Sequence, residues 1–230
     1  MQRAWPRGRT LFLLLAISLA VLAGILTRSL LPTPRHAASS HPATASIGAA
    51  HDGPPWIYGK PDARFTVVEY ADLECPYCRA YFPVLKHWID ANPDVNWQWH
   101  HLPLSIHEPA ATREARLAEC VGETEGRVAF WQAVEWIYQH TRADGQGLPA
   151  GVEYPHRSPA LEACLNSMRP DASIHTQVDE AAHNDIAATP TLRLVDHRRG
   201  KTLMLRGPME GDALLSAIDL LEVPGNDAAP

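Results

Sequence analysis

A chain of 230 residues, 46% hydrophobic and 20% charged, is long enough to bury a full-sized core without cross-links to compensate for small size. Its formal net charge of −6 is unevenly spread: Arg3, Arg7, Arg9, Arg28 and Arg35 all precede the first acidic residue, Asp52, and the remaining 15 basic and 26 acidic residues leave −11 for the rest. So acidic a body argues against a nucleic-acid partner.

The first elements in chain order are a basic end (1–10) and an apolar run (Leu11 to Leu26) that reaches bilayer-spanning length at Leu31 if Arg28 snorkels. This is a targeting element outside the fold. A small-x-small site does not follow the run directly, since Ala43-Thr44-Ala45 lies well downstream. The expectation is an uncleaved membrane anchor over 11–31, with a cleaved signal peptide as the alternative. In both cases the arginines stay inside and the globular part is exported. Residues 32–55 are Pro, Ala, Ser, Thr and His with little to bury, and read as a flexible tether. Its His36, His41 and His51 are too scattered for a specific metal site.

The run Phe65 to Ala71 is short, β-branched and aromatic, which predicts a buried strand carrying one acid, Glu69. Tyr81, Phe82, Leu85, Trp88 and Ile89 then recur at helical spacing up to Asn92-Pro93. Between the two lies Cys75-Pro76-Tyr77-Cys78, with Pro76 at the first helical position, where its missing N–H costs nothing. The helix N-terminus offers free N–H groups and a positive dipole end, which stabilise a thiolate on Cys75 and make it the nucleophile. Cys78, one turn along, can resolve a mixed disulfide. Zinc needs a second close-spaced pair of ligands, whereas Cys120 and Cys164 are isolated and His100 and His101 point to opposite faces of a strand. A redox couple is therefore the leading reading, and no metal is expected.

A strand follows at 95–102 with Trp97 and Trp99 on one face. Helical stretches run from about 109 to 140 and from 159 to 185. A strand enters near Ile186, a partner strand covers 201–206, and a closing helix covers 210–223. The order is β-α-β, an inserted helical block, then β-β-α: one domain split by an insertion.

At these residues the chain resembles the thioredoxin superfamily, and within it the DsbA-type thiol oxidoreductases of the bacterial envelope. The resemblance rests on Cys75-Pro76-Tyr77-Cys78, on Pro83 within the following helix, on Glu69 six residues before Cys75, and on Thr189-Pro190 opening a strand. His101-Leu-Pro-Leu104 with His107-Glu-Pro-Ala-Ala111, and the isolated Cys120 and Cys164, extend it over roughly residues 57–223. It implies an α/β thioredoxin fold, a central mixed sheet flanked by helices, formed by 56–108 and 186–223, with a helical insertion at 109–185 and a disordered tail at 224–230.

It also implies roles. Glu69 accepts a proton from Cys78; Pro76 and Tyr77 tune the thiolate; Pro190, if cis, sets the Thr189 backbone beside Cys75 to hold an extended substrate. A trans Pro190 on an edge strand and a solvent-reaching Glu69 are the plainer alternatives. Tyr77 stands where well-known DsbA proteins have histidine, and Glu74 adds a negative charge expected to raise the Cys75 pKa, so a less extreme oxidant is anticipated. With Cys75 and Cys78 coupled, Cys120 and Cys164 can bridge, the alternatives being buried free thiols or a relay pair. Trp131 and Trp136 are expected in the core.

The resulting expectation is an exported thiol:disulfide oxidoreductase on the periplasmic side of the bacterial envelope, most simply disulfide-forming. It has no cofactor beyond the Cys75–Cys78 couple. Its partners are cysteine-containing exported proteins and a membrane protein that resets the couple. A reductase, an isomerase, or a thioredoxin-fold chaperone with idle cysteines are the competing readings.

Overall fold

The structure is a computed structural model that describes residues 53–223. The expected basic end, apolar segment, most of the tether with its three histidines, and the tail lie outside the described residues. No helix among the described residues is long and apolar enough to cross a membrane.

Among the described residues, five strands form one mixed sheet in the order β1-β3-β2-β4-β5. They are β1 (Ile57–Tyr58), β2 (Phe65–Ala71), β3 (Val95–His101), β4 (Thr191–Asp196) and β5 (Lys201–Arg206). β2 runs parallel to β3 and antiparallel to β4, while β1 and β5 add antiparallel edges. β2 is central, and all seven of its residues are buried, which is why apolar residues occupy both of its faces. α1 (Pro76–Ala91) links β2 to β3. It ends at Asn92, whose side chain donates to the Trp88 carbonyl at 2.7 Å, just before Pro93.

Four helices separate β3 from β4: α2 (Ala110–Glu125), α3 (Arg127–His140), α4 (Pro159–Leu165) and α5 (Arg169–His183); α6 (Gly211–Glu222) closes the chain. The helical stretch expected over 109–140 is broken at Gly126, whose φ of 90° no L-residue adopts cheaply, so the chain doubles back as an α2–α3 hairpin. The stretch expected over 159–185 is likewise two helices. The strand expected from Ile186 starts only at Thr191, and the Thr189–Pro190 peptide bond before it is cis.

Register decides the faces. Val67, Glu69 and Ala71 pair with Trp97, Trp99 and His101, so these six side chains share one face. That face meets α1, the α2–α3 hairpin and α6 in the larger core, built around Trp97, Trp99, Phe130, Trp131, Phe82 and Leu214. The opposite face, with Val68 and Tyr70, packs on Ala181 of α5 and on Ile186. Trp131 is buried. Trp136 is only partly so, stacked on His140 at 4.3 Å. A buried polar chain ties sheet to hairpin: Trp99 Nε1 donates to His101 Nδ1 at 3.0 Å, His101 Nε2 lies 3.2 Å from Glu119, and Glu119 accepts from Trp56 Nε1 at 3.1 Å.

Candidate active site

The site is built where β2 turns into α1. Cys75 is the extended N-cap of α1, Pro76 is the first helical residue, and the Cys75 carbonyl accepts from Arg79 N–H at 3.0 Å, so the first turn is already closed. This leaves the first N–H groups of the helix without intrahelical partners beside the Cys75 sulfur. Both Cys75 and Cys78 are free thiols and buried, whereas Tyr77 between them is 68% exposed. The Cys75 thiol is pulled down to about 6, chiefly by a hydrogen bond from the Cys78 thiol. Burial opposes this, and Thr189 and the N–H groups of Cys78 and Tyr77 add to it. Cys78 goes the other way: burial, its bond to Cys75 and the Glu69 charge push it well above an ordinary thiol. One sulfur is an anion near neutrality and its neighbour keeps its proton.

Glu69 sits on the central strand, 1% exposed, on the sheet face that meets α1. Burial pushes its carboxyl up to about 8, against the pull of the Trp97 indole and with a further push from the Cys75 charge. Its Oε2 has no hydrogen-bond partner among the described residues, and neither has Trp97 Nε1. A protonated acid with a free oxygen, close enough to both sulfurs to feel their charge, can exchange a proton with Cys78. Across the site the Thr189–Pro190 bond is cis, and the Thr189 carbonyl lies 3.5 Å from Cys75 Sγ, where it accepts from the sulfur only when Cys75 is a thiol. Pro190 itself is buried, and its carbonyl accepts from Gly207 N–H at 2.9 Å, which anchors this loop to the end of β5.

Residues 51–219 match the family model described as Thioredoxin. The chain belongs to the thioredoxin family. Among solved structures of this family it is similar to Pseudomonas aeruginosa DsbA2, with 44% identity and a TM-score of 0.69 over 73% of this chain and 93% of that one. A thioredoxin-like oxidoreductase from Silicibacter pomeroyi (19%, TM-score 0.57, covering 77% of this chain and all of that one) shares the fold. So does Wolbachia pipientis alpha-DsbA1 (19%, TM-score 0.54, covering 76% and 93%). A curated relative, the Na(+)/H(+) antiporter NhaA 3 of Salinispora tropica, is 31% identical over 170 residues; the match takes in 70% of this chain and 24% of that protein. The chain thus spans about a quarter of the length of the curated relatives it matches.

Within this thioredoxin fold, three further polar residues shape the cysteine loop that the sequence did not single out. Asp72 accepts from Glu74 N–H at 2.7 Å, from Leu104 N–H at 2.9 Å and from the His107 ring at 2.7 Å, so it binds the cysteine loop to the turn after β3. Its bond to a backbone N–H two residues on is an Asx turn, a signal that local sequence does carry. Glu114 and Thr141 come from the helical insertion, more than 25 residues away in sequence, with no local signature.

Glu74, expected to raise the Cys75 thiol, is not among the leading causes of its shift. Its carboxylate is fully buried and accepts from the Thr141 hydroxyl and from the N–H groups of Gly145 and Gly147, each of the latter at 2.9 Å. Cys120 of α2 and Cys164 of α4 form a disulfide with Cα atoms 5.6 Å apart, and both residues are fully buried.

Proposed function

We propose that the protein is a thiol:disulfide oxidoreductase acting on the cysteines of exported proteins. Cys75 is the exchanging sulfur, Cys78 the resolving one and Glu69 the proton carrier. The observation that carries this reading is the opposed pair of sulfurs at the N-terminus of α1. Cys75 is drawn down to about 6 while its neighbour is pushed up, and a backbone carbonyl lies 3.5 Å from the reactive sulfur.

In the disulfide-donating direction a client thiolate attacks Cys75 Sγ. The Cys75–Cys78 bond breaks, its electron pair leaves on Cys78, and Glu69 supplies the proton that turns Cys78 into a thiol. A second client thiolate attacks the client sulfur of the mixed disulfide and expels Cys75 as a thiolate. The client is oxidised by two electrons and the protein reduced by two. A thiol with pKa about 6 is about nine-tenths ionised at pH 7, against about one part in a hundred for an unperturbed one near 9, so the reduced state is stabilised and the couple favours oxidising others. The Thr189 backbone supports substrate binding as an added strand beside Cys75. Pro76 and Tyr77 sit between the sulfurs and tune that balance, and the Cys120–Cys164 bridge is structural. No cofactor beyond the dithiol is needed.

Placement on the periplasmic side, tethered by residues 11–31, and resetting by a membrane redox partner complete the proposal. Support comes from the exported-protein pattern of the N-terminus and from the disulfide in the helical insertion. The test uses the full-length chain with a reduced, unfolded client. The wild type transfers its disulfide stoichiometrically, Cys78→Ser accumulates a mixed disulfide through Cys75, and Cys75→Ser is inert. A variant lacking both thiols that binds clients and sustains their maturation as the wild type does would replace this reading with a binding module. An equilibrium potential near that of thioredoxin would replace disulfide donation with reduction.

A further inference from the structure

Glu74 directly precedes the reactive cysteine yet faces away from it, into the helical insertion. Its Oε2 accepts from Gly145 and Gly147 N–H, and its Oε1 accepts from the Thr141 hydroxyl. That same hydroxyl lies 3.3 Å from Oε1 of Glu114 on α2, and Glu114 is 1% exposed with no partner for its Oε2. A hydroxyl has one proton to give and two lone pairs to accept with. Thr141 gives its proton to Glu74 and accepts from Ala143 N–H at 3.3 Å, so it can meet Glu114 only by accepting again, which requires Glu114 to carry a proton. An ionised Glu114 would be a second buried anion beside the first with no donor of its own.

We infer that Glu74 and Glu114 form a latch that holds one proton, Glu74 as the carboxylate and Glu114 as the acid, and that this latch positions the cysteine loop against the helical insertion. It grips the motif on both sides, since Arg79, one residue beyond Cys78, donates to the Thr141 carbonyl at 3.2 Å. Glu74 and Glu114 are positioning residues: they act on Cys75 by holding the loop. Burial and the Glu74 charge push Glu114 up to about 9. Glu74 stays below the ordinary range despite burial, held there by the neutral Glu114 beside it, the Thr141 hydroxyl and the two glycine N–H groups.

Other charged or titratable groups stand around the pair, and Arg116, Glu153, Tyr154 and Arg157 line the same cavity as Arg113 and Glu114. Arg113 of α2 comes close enough that a Cβ on Gly147 would meet it at 2.6 Å and Glu114 at 3.3 Å, and it draws Glu114 down somewhat. Arg79 approaches from α1, Asp72 accepts the Glu74 N–H, and His107 packs against Gly145. Once the proton leaves, two adjacent buried carboxylates repel and the 141–147 loop comes away. A glutamine at 114 keeps a neutral donor at every pH and holds the latch shut.

The experiment reads the latch without relying on the proposed oxidoreductase activity, so the failure of either leaves the other standing. In the full-length chain labelled with ¹³C at the glutamate carboxyls, Glu114, assigned by its loss in Glu114→Gln, is expected to be protonated at pH 7 and to titrate near 9. In Glu74→Gln its acid dissociation constant should rise at least tenfold. Trypsin cleavage after Arg142, an exposed residue of the latched loop, is expected to accelerate severalfold in the wild type relative to Glu114→Gln as pH rises from 8 to 10. A Glu114 midpoint in the ordinary carboxylate range, or the same cleavage profile in both proteins, overturns the inference.

Discussion

The molecule holds two cysteine pairs, and the contrast between their surroundings is instructive. Cys75 and Cys78 stand at the opening turn of α1, where backbone N–H groups are still free, with Glu69 behind them and Thr189 in front. Cys120 lies in the second half of α2, where the N–H groups are already spent within the helix, and meets Cys164 of α4 in a fully buried setting. Burial is therefore not what separates the free pair from the bridged one, since all four cysteines are buried. A carboxyl group does not separate them either, since Glu123 Oε2 lies 3.6 Å from Cys164 Sγ; what differs is the supply of unpaired backbone donors at the helix start.

The contrast can be broken or sharpened by experiment. The largest expected effect comes from Cys120→Ala with Cys164→Ala. Opening a bridge with a sequence separation of 44 should cost about 4 kcal/mol of stability by the loop-entropy argument, and should leave the redox potential of Cys75–Cys78 unchanged. Chemical denaturation together with a glutathione titration reads both quantities, and a moved potential would mean that the two pairs are coupled.

Glu69→Gln comes next. In the reduced protein the folded-state pKa is about 8 against 4.5 for an ordinary glutamate, so folding favours the protonated acid. Stability is greatest below about 4.5 and declines as pH rises toward 8. Glutamine removes that penalty and should stabilise the reduced protein at pH 7 by about 3 kcal/mol. It should also slow Cys78-dependent release of the mixed disulfide on the order of 10²-fold and abolish its rise through about pH 8, because the ionised carboxylate is then no longer there to take the thiol proton. A release rate with an unchanged pH profile would remove Glu69 from the proton path.

Gly122→Ala tests the quiet region alone. A Cβ there would fall 2.4 Å from the buried Trp56 ring, which should cost about 1–3 kcal/mol in thermal or denaturant unfolding with no change in thiol reactivity. The smallest effect belongs to Tyr77→His. A partial positive charge at an exposed position beside Cys75 should lower the thiol pKa by less than about one unit and make the protein a somewhat stronger oxidant, as followed by thiolate absorbance.

Much of the reactive region was readable along the chain because it is local. A strand, a proline-started helix and two cysteines one turn apart occupy 65–91, and the free donors of a helix N-terminus follow from that order alone. Helix breaks were less readable, since Gly126 can sit inside a helical pattern or end it, and only the packing of α2 against α3 makes the reversal pay. The surroundings of Glu74 were unreadable for the same reason. Next to Cys75 in sequence, its charge looks like a thiol's neighbour, but its direction is set by Thr141, Gly145 and Gly147, donors that arrive from the helical insertion.

The sequence by itself determined the order of elements, the central buried strand and the placement of Cys75 and Cys78 at a helix start, because periodicity, proline chemistry and helix polarity act over a few residues. Only the tertiary structure decided which carboxyl keeps a proton and which loses it. Glu69 and Glu114 each keep a buried oxygen without a partner while both oxygens of Glu74 are given donors, and desolvation and hydrogen bonding depend on what distant segments bring to the same place.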